Sequence, residues 1–356
     1  MKMHNFNSGP SILPQQVLMQ AAEAIINFNN TGLSILEIGH RSNWFVDVMK
    51  EARELVKELM ALNDEHEVLF LPGGATTQFM QVPMNLLNEE ENAAYCDNGI
   101  WGSKAIKEAK LFGEVHIACS SEEKNHTYIP DNLSIPETAK YLHYTTNNTV
   151  EGTQWHRIPE TNIPLVADMS SDIFTRPMLF SKFALIYAGA QKNIGAAGVT
   201  LVVVRKDMLR KVSRIIPAIL DYCNHIEAAS LLNTPPVFAV YVSMLTLRWI
   251  KQEGGLNEME KRAKERAELF YSTLDALPVF TSSINKADRS LMNAVFTTVK
   301  PELEKIFLDE CTKNGMIGVK GHRTVGGLRV SMYNAMPLSS VKAICDLMTN
   351  FSNKYK

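Results

Sequence analysis

The chain of 356 residues is 46% hydrophobic and 21% charged, the balance of a soluble globular enzyme with room for one large unit and a smaller one. A formal net charge of −2 gives no electrostatic case for nucleic acid or an anionic membrane, and no stretch approaches the roughly 18 apolar residues of a membrane span. Cys96, Cys119, Cys223, Cys311 and Cys345 are odd in number and widely spaced, without a C-x-x-C pair. They read as reduced thiols, neither a disulfide framework nor a zinc site, and with no signal peptide the expected compartment is cytoplasmic.

Gln15 to Phe28 carries apolar residues at Val17, Leu18, Ala21, Ala22, Ile25 and Ile26, which predicts an amphipathic helix opened by Pro14. A second helix is predicted over Val46–Leu62, and a third from Thr76 or Thr77 toward Leu87. Between them Val68-Leu69-Phe70-Leu71 reads as a strand. Further strands are predicted at Ala93–Cys96, Val115–Ala118, Tyr141–Tyr144, Leu165–Ala167, Phe183–Tyr187 and Val199–Val204. Strands alternating with helical stretches make this an α/β fold with a mainly parallel sheet covered on both faces. After a break at Glu253-Gly254-Gly255 come a charged helix to about Leu277, strands near 293–297 and 328–332, and a closing helix from Leu338. Expected boundaries are therefore a large unit over 15–253 and a smaller α+β unit over 254–356 with the segment 1–14.

The richest local pattern is Tyr187-Ala188-Gly189-Ala190-Gln191-Lys192-Asn193-Ile194-Gly195. It sets one lysine after a buried strand, in a turn of small residues. Burying an unpaired ammonium is costly, and the pKa falls instead. Such an amine suits Schiff-base chemistry with an aldehyde. Leu165-Val166-Ala167 ends in a carboxylate, Asp168. A lysine and an aspartate at neighbouring strand ends suggest pyridoxal phosphate, the lysine for the imine and the aspartate for the pyridinium nitrogen. Each residue taken alone reads more simply as a loop lysine or a helix-capping aspartate.

Other candidates carry their own plain alternatives. Gly73-Gly74-Ala75-Thr76-Thr77 lies between a strand and a helix, so it is a phosphate cradle or only a tight turn. Trp101, between Gly99 and Gly102, either stacks on a flat ring or plugs the core. His40-Arg41 and His322-Arg323, with Arg329 after Gly326-Gly327, suit carboxylate or phosphate recognition, or are solvated. Asn233-Thr234-Pro235-Pro236 is an oxyanion clamp or a helix cap. None of the nine histidines has metal-ligand spacing, and no metal is expected.

Taken in order, these stretches resemble the phosphoserine aminotransferase family, fold-type I pyridoxal-phosphate transferases of class V. The likeness runs from Phe6-Asn7-Ser8-Gly9-Pro10 to Tyr333-Asn334-Ala335-Met336-Pro337 and includes Gly39-His40-Arg41-Ser42 and Ala167-Asp168-Met169-Ser170-Ser171. The resemblance implies a seven-stranded sheet and a homodimer with active sites at the subunit interface. It implies one pyridoxal 5'-phosphate per subunit, on Lys192 as Schiff-base lysine, with Asp168 on the ring nitrogen. Trp101 would stack on the ring, Thr149 would bond its phenolic oxygen, and Ala75, Thr76 and Gln191 would meet the phosphate, with Asn233 and Thr234 from the other subunit. Arg329 would clamp the substrate α-carboxylate, and His40, Arg41, His322 and Arg323 its second anionic group. The implied reaction passes an amino group from L-glutamate to 3-phosphohydroxypyruvate, with a second, four-carbon phosphohydroxythreonine pair. Two departures stand out. Ala75-Thr76 replaces the Gly-Arg of many members, exchanging a cation for a hydroxyl, and Asn148 stands where many have Glu. The nearest alternatives are a serine or alanine:glyoxylate aminotransferase, and a cofactor-free binding protein on the same scaffold.

Overall fold

The computed structural model describes residues 3–355; Met1, Lys2 and Lys356 lie outside the described residues. The chain opens with a short strand β1 (His4–Asn5), then helices α1 (Gln15–Asn27) and α2 (Asn43–Leu59). There follow β2 (His66–Pro72), α3 (Ala75–Leu86), β3 (Asn92–Asp97), α4 (Ile100–Ala109) and β4 (Glu114–Ser120). The strands β5 (Leu142–Thr145), β6 (Leu165–Asp168), β7 (Phe183–Gly189) and β8 (Val199–Arg205) complete a seven-stranded sheet in the order β2-β8-β7-β6-β5-β3-β4. Only β8 runs against its neighbours β2 and β7; the other pairings are parallel.

Alternation along the strands decides which helices cover which face. Phe70, Ala94, Tyr144, Ala167, Ile186 and Val203 pack on one side against α1, α2 and the later helix α6 (Val237–Gln252), which follows a short α5 (Tyr222–Glu227). Leu69, Tyr95, Tyr141, Val166, Tyr187 and Val202 pack on the other against α3, α4 and Tyr222. A sheet dry on both faces favours near-continuous apolar runs, and β7 is buried along its whole length.

The chain continues with α7 (Gly255–Ala276), β9 (Phe280–Thr281), β10 (Asn293–Thr298), α8 (Glu302–Lys313), β11 (Met316–Ile317), β12 (Leu328–Ser331) and α9 (Leu338–Tyr355). A separate apolar cluster joins Phe270, Phe280, Phe296, Phe307, Val330, Ile344 and Phe351, and it includes Phe6 from the start of the chain. β1 pairs in parallel with β11, so the first residues are built into this C-terminal cluster. A buried side-chain bond ties it to the large sheet, with Asn147 Nδ2 donating to Asn293 Oδ1 at 2.9 Å.

Two differences from the sequence reading have local causes. Trp101, expected just past a strand, sits in the first turn of α4. That helix was hidden by Gly102, which cannot be larger because a Cβ would lie 2.7 Å from the Cys96 carbonyl oxygen. The second helix begins at Asn43, three residues earlier than its apolar spacing suggested.

Candidate active site

In a parallel sheet all C-terminal strand ends point one way, and that edge is where open α/β folds leave a crevice. Here Thr145 ends β5, Asp168 ends β6 and Gly189 ends β7, three residues before Lys192. A cavity of about 220 Å³ lies over them, lined by Lys192, Asp168, Trp101, Thr149, Gln191 and Arg329 among others.

Lys192 is lowered to about 8. Burial is the main cause, opposed by the nearby Asp168 carboxylate and reinforced by the Arg329 guanidinium. Its backbone is pinned from the far end of the chain: Ser11 N donates to the Gln191 carbonyl at 2.9 Å, and Ser11 Oγ to that of Lys192. A Cβ at Gly9 would lie 3.4 Å from Lys192 Cγ, so the amino-terminal segment lies against the lysine's stem.

Asp168 is 4% exposed, and burial pushes its carboxyl up, against the pull of Ser170 and Lys192. Ser170 offers two donors to Oδ1, its amide at 2.9 Å and its hydroxyl at 2.6 Å. Bonds to a charged acceptor contribute about 1.5–3 kcal/mol each, the order of an ion's effective burial penalty. Oδ2 carries no such bond and is left for the cavity. No ion pair within 4.0 Å joins Asp168 to Lys192 among the described residues, although both line the same cavity.

Trp101 forms one wall. Its Nε1 donates to Thr149 Oγ1 at 3.0 Å, which fixes the plane of the indole, and Lys192 Nζ lies 5.9 Å from its ring centroid. Lys104, one turn further along α4, places its ammonium 4.4 Å from the same ring. Arg329, on β12, is buried; its Nη1 donates to the Thr149 carbonyl at 2.8 Å while Nε has no partner. At the opposite end α3 begins with Gly74 as cap and no side-chain cap bond. The Ala75 and Thr76 amides therefore open the helix toward the cavity, the arrangement that receives an anion.

The remaining predicted residues are divided. His322 lines the cavity; its Nδ1 accepts from the Thr324 amide, and burial with the nearby Arg329, Arg323 and Lys104 charges holds it below the usual imidazole range. Arg323 is exposed outside it. His40, Arg41, Asn233 and Thr234 do not line it either, and Arg41 and Thr234 are exposed. Ser8, Gly9, Thr145, Asn147, Val150 and Ser170 line the cavity without having been singled out. Their signal was partly present, since Ser8-Gly9 and Ser170 lie inside the motifs that carried the resemblance.

A buried amine held near 8, a buried carboxylate and an arginine lining one cavity define a site for amino-group chemistry on a carboxylate-bearing substrate. Comparison with known proteins agrees: residues 3–344 match the aminotransferase class-V family model. The chain belongs to that family of pyridoxal-phosphate-dependent transferases, and within it to the phosphoserine aminotransferases. It is 53% identical to the phosphoserine aminotransferase of Flavobacterium johnsoniae, with 99% of this chain and 100% of the relative covered. It is 50% identical to that of Phocaeicola vulgatus, with 99% of each covered. A phosphoserine aminotransferase structure solved to follow radiation damage of its Schiff base superposes with a TM-score of 0.97 at 43% identity, covering 99% of this chain and 100% of that one. The enzyme from Bacillus circulans subsp. alkalophilus superposes equally well at 40% identity, covering 100% and 99%. An alanine–glyoxylate aminotransferase from Nostoc sp. at 15% identity and TM-score 0.77 shares the fold alone.

The cavity fits the cofactor this family implies. A cavity of about 220 Å³ has Lys192 and Asp168 in its lining with the indole as one wall, and the open start of α3 faces it for a phosphate. The Ala75-Thr76 sequence supplies amides and a hydroxyl there, without a side-chain cation.

Proposed function

We propose that this chain transfers an amino group from L-glutamate to 3-phosphohydroxypyruvate, giving O-phospho-L-serine and 2-oxoglutarate. The same site would serve the four-carbon pair, 3-hydroxy-2-oxo-4-phosphooxybutanoate and 4-phosphohydroxy-L-threonine. The observation that carries this reading is the pairing of Lys192 and Asp168 across a cavity whose mouth holds Arg329 and His322. A guanidinium and an imidazole lining one cavity suit a substrate with two anionic ends.

Pyridoxal 5'-phosphate, when bound, supplies an aldehyde to receive the amino group and an electron-poor ring to draw charge from the substrate's α-carbon. The residues to hold it are Lys192, Asp168 at the ring nitrogen, Trp101 on the ring face, Thr149 at the phenolic oxygen, and Ala75, Thr76 and Gln191 at the phosphate. Lys192 Nζ, held near 8, is partly neutral at neutral pH and would take the proton from the substrate's α-carbon as the base of a 1,3-shift. Asp168 Oδ2 keeps the ring nitrogen protonated, and that N–H⁺ in turn offsets the burial of the carboxylate. Arg329 binds the α-carboxylate common to every substrate. His322 and Arg323 bind the distal group, the γ-carboxylate of glutamate or the phosphate of the acceptor.

His40, Arg41, Asn233 and Thr234 lie off the cavity of their own chain, and the reading assigns them to a neighbour's site in a homodimer. Exposed apolar side chains around that segment, Leu33, Leu36 and Trp44, support such an interface. The large unit is taken as 15–253 and the small one as 254–356 with the segment 1–14; the Phe6 contact with the C-terminal cluster supports this grouping. A cytoplasmic enzyme of serine and pyridoxal-phosphate biosynthesis follows, and no helix among the described residues is long and apolar enough to cross a membrane. The test is an acceptor screen with glutamate as donor. Phosphorylated 2-oxo acids should exceed their unphosphorylated counterparts in kcat/KM by tenfold or more, by the order of one charge-assisted bond. Equal rates on both sets would move the substrate assignment elsewhere in the family.

A further inference from the structure

Beside the cavity lies a carboxyl group that the chemistry above does not use. Glu151 is 7% exposed, and a buried carboxylate is costly unless paired. Its Oε1 accepts from the Ile100 amide at 2.8 Å, at the first residue of α4, while Oε2 is buried without a partner. Its neighbour is unbalanced in the complementary sense. Asn148 Nδ2 donates to the Asn98 carbonyl at 2.9 Å and to Thr153 Oγ1 at 3.0 Å, which fixes the orientation of the amide. That leaves Asn148 Oδ1 buried with no donor.

The two orphan oxygens converge on one point. A Cβ built on Gly99 would lie 2.6 Å from Asn148 Oδ1 and 2.9 Å from Glu151 Oε2, so Gly99 is what lets both come so close to α4. Two unprotonated oxygens repel, whereas a carboxylic acid and an amide oxygen make a bond. We propose that Glu151 is held as the neutral acid, with Oε2–H donating to Asn148 Oδ1 and Oε1 accepting the Ile100 N–H, and that it acts as a positioning residue for Trp101, Thr149 and Arg329.

The charges around Glu151 are consistent with this. Burial, the largest influence, pushes its carboxyl up; the Ile100 amide, and the charges of His126 beyond β4 and Arg329 on β12, pull it back without cancelling the rise. Neither group is spent on it. Arg329 Nη1 is on the Thr149 carbonyl and the His126 ring is on Ser121 Oγ. Thr149 shows why the position matters. Its hydroxyl holds Trp101 Nε1 and its carbonyl holds Arg329, so one loop sets the ring wall and the substrate clamp. Glu151 hooks that loop to the start of the helix carrying Trp101, and a charge-free hook does so without competing for the Arg329 guanidinium.

The proposal rests on the roles given above to Trp101 and Arg329, and its tests separate from theirs. Two variants of the holoenzyme are compared, Glu151→Gln and Glu151→Ala. The amide of Glu151→Gln reproduces one donor and one acceptor, so cofactor affinity, kcat and KM should stay within about twofold of wild type. Glu151→Ala should weaken cofactor binding and kcat/KM by roughly tenfold, the order of one lost buried hydrogen bond. The infrared difference spectrum of wild type against Glu151→Gln at neutral pH should contain a protonated-carboxyl band. A carboxylate band instead, or losses in Glu151→Gln matching those in Glu151→Ala, overturns the proposal. Should Glu151→Ala fail to fold, Glu151→Gln and the infrared band decide it. Failure of the substrate reading would appear as a wild type inactive on phosphorylated acceptors, an outcome that leaves the band unchanged.

Discussion

The floor of the cavity and its rim are built on different principles. On the floor, Thr145, Asp168 and Ser170 stand at the ends of buried strands, and Asp168 Oδ1 takes two donors from Ser170. On the rim, residues 323–326 are exposed and the loop carries Gly321, Gly326 and Gly327. The His322 ring there meets the Thr324 hydroxyl and amide, two residues away, and its carbonyl accepts from Val325 and Gly326, all within the same loop. Atoms that do chemistry need fixed positions, which a packed sheet supplies. Groups that choose among substrates need access, and loops supply it. On the reading proposed above, one chain sets the chemistry while selectivity is left to a rim that a second chain completes.

The sharpest way to break this contrast is on the floor. Lys192→Ala should leave a folded protein that still takes up pyridoxal phosphate but transaminates at least 10²–10⁴-fold more slowly, roughly the worth of a general base. Borohydride reduction of the wild type followed by peptide mapping should place the pyridoxyl label on Lys192. A label on any other lysine would falsify the assignment. Asp168→Asn should follow, with kcat down on the order of a hundredfold and weaker cofactor retention, because an amide cannot hold the ring nitrogen protonated. A near wild-type rate would reduce Asp168 to an anchor for Ser170.

At the junction of floor and rim, Arg329→Ala should cost about ten- to a hundredfold in kcat/KM on phosphorylated and unphosphorylated acceptors alike. On the rim itself, Arg41→Ala and Arg323→Ala should cost roughly tenfold on the phosphorylated acceptor and little on a short unphosphorylated one. Steady-state kinetics of the three variants on both acceptors decides whether floor and rim divide the work. Equal losses on both acceptors for the rim variants would end the distinction.

The smallest effect is a shift along the pH axis. The Lys192 ammonium, lowered to about 8 from the ordinary 10.5, releases its proton first on raising the pH. Without cofactor, its modification by an amine-directed reagent should therefore rise with a midpoint near 8, while exposed lysines react only at higher pH. A midpoint with the bulk lysines would mean that water reaches the amine freely.

The same contrast explains what the sequence made legible. Strands β6, β7 and β8 announce themselves because dry strands must be apolar throughout, and the small residues around Lys192 mark the place where the backbone turns under a ligand. Helix α4 was missed because Gly99 and Gly102 resemble a loop, though close packing on Asn148 and Cys96 forces both. Helix α8 was missed although it carried a readable signal, with Leu303, Phe307 and Cys311 buried at every fourth residue. Thr145 and Val150 lie in the run Thr145-Thr146-Asn147-Asn148-Thr149-Val150, which has neither helical nor strand periodicity. Its order comes from side-chain bonds to distant segments, such as Asn147 to Asn293, and those are invisible along the chain. The rim residues were visible as glycine-flanked His-Arg pairs suited to anions, but their role followed from the family pattern, and nothing in one chain's packing gathers His40 and Arg41 to the cavity.

The amino-terminal segment that braces Lys192 also imposes an order on synthesis. Ser8 offers its carbonyl to the Tyr333 hydroxyl, 325 residues away in sequence, and β1 waits for β11. At about 5–20 residues per second, the first dozen residues leave the ribosome roughly 15–65 s before these partners exist. The large sheet can close in that interval and Ser11 can meet Gln191 and Lys192, but the anchors that hold the segment at Tyr333 and β11 cannot form, so a ribosome-bound chain stalled before β11 should carry a formed sheet and an unfinished active site.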